Sequence, residues 1–139
     1  MTDMLPFAEV SLTVSFHDCD PMGVVWHGNY FRFFEVAREA LLRHIDYSYG
    51  QMQASGYVWP VVDTRVKYRR PLRCEENICV RASVTEYENR LRIDYEIRSA
   101  TGEVTTRAHT LQVAVDLQTE VMCFVSPDIL LTRLGVKPC

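Results

Sequence analysis

The chain is 139 residues long, 47% hydrophobic, and carries a formal net charge of −3; this suffices for one domain with a single core, residues 1–139, and excludes two. A charge of that sign lacks the positive excess of nucleic-acid and anionic-membrane binders, so no nucleic-acid partner is expected and a small molecule fits better. Five cysteines, at positions 19, 74, 79, 123 and 139, include no Cys-x-x-Cys pair and leave one over in any disulfide scheme, a usage that points to a reducing, cytoplasmic setting.

Met1 to Pro6 supply neither the basic nor the apolar region of a leader. No apolar run approaches the roughly 18 residues that span a bilayer, so no integral membrane segment is expected. Val10, Leu12, Val14 and Phe16 alternate with Ser11, Thr13 and Ser15, the period of a half-buried first strand that runs to Phe16. From Tyr30 the period changes. Tyr30, Phe34, Ala37, Leu41 and Ile45 recur at helical spacing, and Phe33, Val36 and Ala40 widen the apolar face. A helix so apolar should be wrapped by a sheet, and its apolar surface also predicts at least a dimer. Asp46 to Gly56 reads as a loop or short helical turn, followed by a strand from Val58 to Tyr68 that Pro71 closes off.

Ile78, Val80, Ala82 and Val84 alternate, as do Leu91, Ile93, Tyr95 and Ile97, and Glu88-Asn89-Arg90 joins the two runs as a hairpin. A turn at Ala100-Thr101-Gly102-Glu103 leads to a long strand from Val104 to Asp116 and another from Val121 to Val125. Ser126-Pro127-Asp128 reads as a helix start, with Ser as N-cap and Pro at the first helical position. A strand, one long helix and four or five antiparallel strands define the α+β class, with the helix lying along a curved sheet.

Chemistry is concentrated in residues 16 to 38, Phe-His-Asp-Cys-Asp-Pro-Met-Gly-Val-Val-Trp-His-Gly-Asn-Tyr-Phe-Arg-Phe-Phe-Glu-Val-Ala-Arg, where an acidic, Pro/Gly-bent loop meets the start of the long helix. A helix start presents unpaired NH groups that can polarise a carbonyl oxygen beside an attacking or water-activating carboxylate, an arrangement suited to acyl transfer. Asp20, biased to extended backbone by Pro21, is either a turn former or that carboxylate. Asp18 either shares its site or serves as a cap, a turn acceptor or the partner of a helix Arg. His27 reads as a general base, a cap or a substrate contact, and Gly28 beside it permits close approach.

Glu35 and Arg38 sit one turn apart, as an ordinary ion pair would. His17, Asp18, Asp20 and His27 have the chemistry of metal ligands but match no metal spacing, so no metal is expected. Arg65, Lys67 and Arg69 share one strand face, either solvated or set against phosphates, and Arg70 and Arg73 follow. Trp26, Tyr30 and Trp59 either line an acyl pocket or belong to the core.

The set Asp18, Asp20, Gly23, Val24, Val25, His27, Asn29, Tyr30, Phe31, Glu35 and Arg38 resembles the signature of the hotdog-fold acyl-CoA thioesterases, in the 4-hydroxybenzoyl-CoA thioesterase branch that includes the Tol-Pal-associated bacterial thioesterases. Asp-Cys-Asp-Pro followed by Gly-x-Val-Trp is the part most similar to the 4-hydroxybenzoyl-CoA members, and Phe16 stands where many relatives carry Tyr. The resemblance implies a long central helix wrapped by a curved antiparallel sheet of five or six strands. It also implies a homodimer with a continuous sheet and an interface active site, and assembly into a homotetramer.

It implies hydrolysis of an acyl-CoA, with an aromatic acyl group suggested and an acyl-carrier protein as the other candidate carrier. Coenzyme A is then part of the substrate, and no metal or redox cofactor is expected. Asp20 would act as nucleophile or general base, with Glu35 and then Asp18 as substitutes. The backbone NH groups of His27 and Gly28 would hold the oxyanion, and Arg90 would contact coenzyme A phosphate. A hydroxyacyl-thioester dehydratase using His27 and Asp20, and a non-catalytic acyl-CoA-binding protein, are the alternative functions.

Overall fold

The computed structural model describes residues 5–136; the leader reading at Met1 to Met4 and the fifth cysteine, Cys139, lie outside the described residues. In chain order the elements are β1 (Phe7–Thr13), 3-10 turns at Phe16–Asp18 and His27–Asn29, α1 (Tyr30–His44), α2 (Tyr49–Ala54), β2 (Tyr57–Val58), β3 (Val61–Tyr68), β4 (Asn77–Glu86), β5 (Leu91–Ser99), β6 (Val104–Gln112), β7 (Val115–Asp116) and α3 (Asp128–Leu134). Five strands form one antiparallel sheet in the order β1-β4-β5-β6-β3, and β2 pairs with β7 beside it.

Register explains where the core sits. Val80 lies opposite Ile97 and Val84 opposite Ile93, so the alternating apolar residues of β4 and β5 all face one side of the sheet. That side receives Phe33, Phe34, Ala37, Leu41 and Leu42 of α1, and together they form one buried cluster. The charged residues between them, Arg81, Arg92, Asp94, Glu96, Arg107 and Lys67, share the opposite, solvent-facing side.

Several elements differ in extent from the sequence expectation, each for a backbone reason. β1 ends at Thr13, and Phe16 instead heads a 3-10 turn with its side chain 86% exposed, because the Ser15 N–H donates to Asp18 and tightens the chain there. Proline lacks a ladder N–H, and the strand expected from Val58 to Tyr68 is split at Pro60 into β2 and β3. Its partner splits likewise into β6 and β7. Val121 to Val125 is not a strand; it contributes only a bridge from Met122 to Val115. α3 begins at Asp128 with Pro127 at its N-cap, and the Ser126 side chain caps nothing: its N–H donates to Glu88 O at 2.9 Å and its hydroxyl is buried without a partner.

Most of the apolar face of α1 is consumed by the chain's own core, and of the surface expected to drive dimerisation it leaves Phe31 exposed. Further exposed apolar side chains lie at Val61, Val62 and Tyr68 of the edge strand β3, and at Val121, Phe124 and Val125. Among the described residues no helix is long and apolar enough to cross a membrane.

Phe34 joins α1 to β5, its ring centroid 5.0 Å from that of Tyr95. Removing a fully buried ring leaves a cavity, so Phe34→Ala should cost about 3–5 kcal/mol in urea unfolding with an unchanged slope. A loss below about 1 kcal/mol would mean that the helix-sheet contact does not hold the fold.

Candidate active site

The acidic loop is a small hairpin whose tip is a β-turn. Cys19 bridges to Val25, the Asp20 N–H donates to Val24 O at 2.8 Å, and the Gly23 N–H donates to Asp20 O at 2.9 Å. Asp at the first position, Pro at the second and Gly at the fourth are what such a turn favours, and Gly23, at φ +79°, holds a backbone conformation that other residues resist. Asp20 Oδ1 accepts the Met22 N–H at 2.9 Å and the Val24 N–H at 3.5 Å. Its other oxygen accepts no hydrogen bond among the described residues, so the carboxylate is anchored through one atom and free at the other.

The chain then enters α1 through a 3-10 turn rather than directly. His27 and Gly28 are the first residues of that turn, and their N–H groups have no acceptor among the described residues. The His27 carbonyl accepts the Tyr68 hydroxyl at 3.1 Å, and its ring packs against Trp26 and Tyr68. Gly28 lets the Trp26 indole rest directly on the backbone: a Cβ there would lie 2.1 Å from Trp26 Cζ3, and the ring would have to move aside. Tyr30 is buried, accepts the Leu72 N–H at 3.2 Å and meets Tyr68 edge-on; burial pushes its phenol up.

Asp20, Trp26, His27 and Tyr30 line one cleft of about 340 Å³ with Tyr68, Arg69 and Arg70. Sequence reasoning placed the first four together. It did not assign Tyr68 to the site, because nothing in the spacing signals that the last residue of β3 meets a turn 41 residues earlier.

Asp18 does not face the cleft as a free acid. It is 2% exposed, accepts the Arg32 Nε–H at 3.1 Å and the Ser15 N–H at 3.1 Å, and also pairs with the Arg32 Nη2. Burial pushes its carboxyl up, but the hydrogen bonds from Arg32 and Ser15 and the Arg32 charge outweigh it, and the net direction is down.

The remaining sequence candidates are not brought to Asp20 within one chain. Glu35 is 3.8 Å from Arg38, as the ion-pair reading expected, and both line a second pocket of about 350 Å³ with Trp59, Tyr49, Val61 and Gln112. The Trp59 Nε1–H points at the Tyr47 hydroxyl, 3.3 Å away, in the core. Arg90 lies in the β4–β5 hairpin, paired with Glu86 at 3.0 Å, beyond Leu91, which stands opposite Gln112 at the other end of the sheet. Arg65 and Lys67 face a broad groove of about 510 Å³ on the outer side of the sheet. His17 sits in the first 3-10 turn, and among the described residues no group of three or more His, Cys, Asp or Glu converges as metal ligands would.

A helix packed against an antiparallel sheet in this order is the hotdog architecture, which the thioester hydrolases share. Residues 14–132 match the thioesterase-like superfamily, and the chain belongs to that family. Relatives include the YneP protein of Bacillus subtilis (strain 168), 31% identical over 106 residues, 76% of this chain and 77% of that one. The acyl-CoA thioester hydrolase YbgC of Escherichia coli O157:H7 is 30% identical over 104 residues, 74% of this chain and 78% of that one. The crystal structure of a DHNA-CoA thioesterase from Staphylococcus aureus superposes with a TM-score of 0.77 at 29% identity, covering 85% of this chain and 80% of that one.

Because the Asp18 carboxyl titrates lower in the folded protein than its ordinary value of about 3.9, its stabilisation is fully present above that value and is lost as pH falls through the folded one. Asp18→Asn should therefore lower the melting temperature at pH 7, and the gap to wild type should close as melts are taken below about pH 4. A gap that persists in acid would mean that the residue acts by shape and not by charge.

Proposed function

We propose that the protein hydrolyses an acyl-CoA thioester to a carboxylic acid and free coenzyme A, with Asp20 as the catalytic carboxylate. The observation that carries this reading is the division of labour at Asp20, which lines the cleft together with His27: one oxygen is held by backbone N–H groups of its own turn, and the other accepts no hydrogen bond among the described residues. The free oxygen attacks the thioester carbon, forming a mixed anhydride as the thiolate of coenzyme A leaves, and water then cleaves the anhydride to the acid and the Asp20 carboxylate; or it takes a proton from water that attacks the carbon directly and expels the thiolate. The His27 and Gly28 N–H groups bind the oxyanion that develops at the carbonyl oxygen. Neither route calls for a metal or redox cofactor. The names of the YbgC and DHNA-CoA relatives support a coenzyme A thioester, with an acyl-carrier protein as the other carrier to screen, and the Asp-Cys-Asp-Pro motif supports an aromatic acyl group. Four free thiols, Cys19, Cys74, Cys79 and Cys123, support a reducing, cytoplasmic setting.

A dimer follows from the sheet edge. β3 is an edge strand carrying Val61, Val62 and Tyr68 exposed beside Asp63, Arg65 and Lys67, and an edge strand's unpaired backbone groups are a template for a second copy. Antiparallel pairing of two β3 strands makes one continuous sheet and brings Arg90 of one subunit to the side on which Asp20 of the other lies, where it can meet coenzyme A phosphate.

Asp20→Asn keeps volume and removes charge, and should lower kcat by at least about 100-fold with melting temperature nearly unchanged. Near-normal thiol release by this variant would overturn the assignment.

His27→Ala keeps the N–H and deletes the imidazole; His27→Pro deletes the N–H. Trp26, at φ −63° and ψ 133°, already has the conformation that a residue before proline takes, so the Pro variant should fold. If the amide holds the oxyanion, Pro should reduce kcat by about 100-fold to 1,000-fold and Ala much less. Equal losses would assign the role to the imidazole.

A further inference from the structure

The groove on the outer side of the sheet gathers charge of one sign. Arg65, Lys67, Arg81, Arg92, Arg98 and Arg107 line its volume of about 510 Å³ with two carboxylates, Asp94 and Glu96, so six cations against two anions leave an excess of four. The chain as a whole carries −3, and the excess is therefore a matter of placement, not of composition. Both carboxylates are taken: Asp94 pairs with Arg92 at 2.9 Å, and Glu96 pairs with Arg107 at 3.1 Å and also with Arg98. Arg65, Lys67 and Arg81 have no carboxylate partner among the described residues. Glu9 stands opposite Arg81 but accepts the Cys79 thiol at 3.3 Å, and the Arg81 guanidinium lies over the Phe7 ring, 3.9 Å from its centroid. Asp63, next on this face of β3, does not line the groove.

Register makes the crowding specific. Lys67 stands directly opposite Arg107, and Arg65 opposite His109; like charges directly opposite destabilise a sheet. These positions form two rows about 6.8 Å apart along strands that lie about 4.8 Å apart. Arg92 Nη2 is 3.4 Å from His109 Nδ1, and since Arg only donates, the neutral imidazole accepts there and keeps its proton on Nε2 as a donor. Guanidinium, ammonium and imidazole donors together are what phosphate oxygens accept from. A single phosphate brings at most about two charges, half of the excess; a short phosphate chain meets both the charge and the two rows. A second copy of this face would bring the same sign and meet neither.

We propose that the outer face of the sheet is a second ligand site, which binds a free triphosphate group between Arg65, Lys67, Arg107 and His109. It shares no lining residue with the Asp20 cleft, so it does not depend on the hydrolase reading.

Calorimetric titration with inorganic triphosphate, in metal-free buffer at about 0.15 M salt, where diffuse surface attraction is screened beyond about 8 Å, tests it. The expected Kd is about 100 μM or tighter, with orthophosphate at least about tenfold weaker and ATP, which carries the same chain, at least as tight as inorganic triphosphate. A weaker Kd, a smaller preference over orthophosphate, or exclusion of ATP overturns the proposal, whatever any variant does. Arg65→Gln/Lys67→Gln removes cations that hold no carboxylate, so it should weaken triphosphate by at least about tenfold while the ligand-free melting temperature stays level or rises, because the opposition of Lys67 to Arg107 is relieved. Equal binding by wild type and variant overturns the placement, and a lower ligand-free melting temperature assigns these side chains to the fold and overturns the crowding argument. The phosphates of coenzyme A are the competing occupant. A KM for acyl-CoA within about twofold of wild type in the double variant sustains a separate site; a larger rise makes the groove part of the substrate site and overturns it.

Discussion

One buried carboxylate organises the site. Asp18 binds Arg32 and the Ser15 N–H through its side chain, while its carbonyl accepts the Trp26 N–H at 3.2 Å and the Asn29 side-chain amide at 2.8 Å. Both ends of the acidic hairpin and the turn that opens α1 are therefore tied to a single residue. Arg32 belongs to the first turns of α1, so the loop cannot move independently of the helix buried in the sheet. Burial of Asp18 is tolerated because its charge is paired and its oxygens are hydrogen-bonded.

This anchoring separates two duties that neighbouring carboxylates might have shared. Asp18 is committed to structure on both oxygens. Asp20, two residues on, is held only by the amides of its own turn, through Oδ1. The turn and the free oxygen are consequences of the same sequence, Asp-Pro-Met-Gly, because an Asp that closes its turn through one oxygen leaves the second without a partner in the turn.

The sheet sets the larger geometry. Its strand order leaves β3 at an edge, and β3 links the Asp20 cleft at Tyr68 to the Arg38 and Gln112 pocket at Val61. Within the chain the two are a strand length apart. The strongly charged outer face, where Arg92 pairs with Asp94 at 2.9 Å and Arg107 with Glu96 at 3.1 Å, gathers Arg65, Lys67, Arg81, Arg92, Arg98 and Arg107 around those two carboxylates, so it carries a positive excess, and it lies on the far side of the sheet from α1.

Local pattern determined the elements and the turn chemistry. The 3.6-residue period of Tyr30 to Ile45 and the two-residue period of Ile78 to Ile97 each follow from which side chains must share a buried face, and the α+β class follows from their order. The Asp-Pro-x-Gly turn was readable because its requirements are local. Pattern failed at Val121 to Val125, which meets β7 only through the Met122–Val115 bridge and its flanking hydrogen bonds, and at Ser126, whose backbone is drawn to the β4–β5 hairpin instead of capping α3. Only the tertiary structure could decide that Asp18 is a buried anchor, that Tyr68 closes over His27, and that Glu35, Trp59 and Arg90 lie apart from Asp20 in one chain. Those outcomes depend on strand order and register between residues tens of positions apart, and on which edge of the sheet is left open, which no local periodicity encodes.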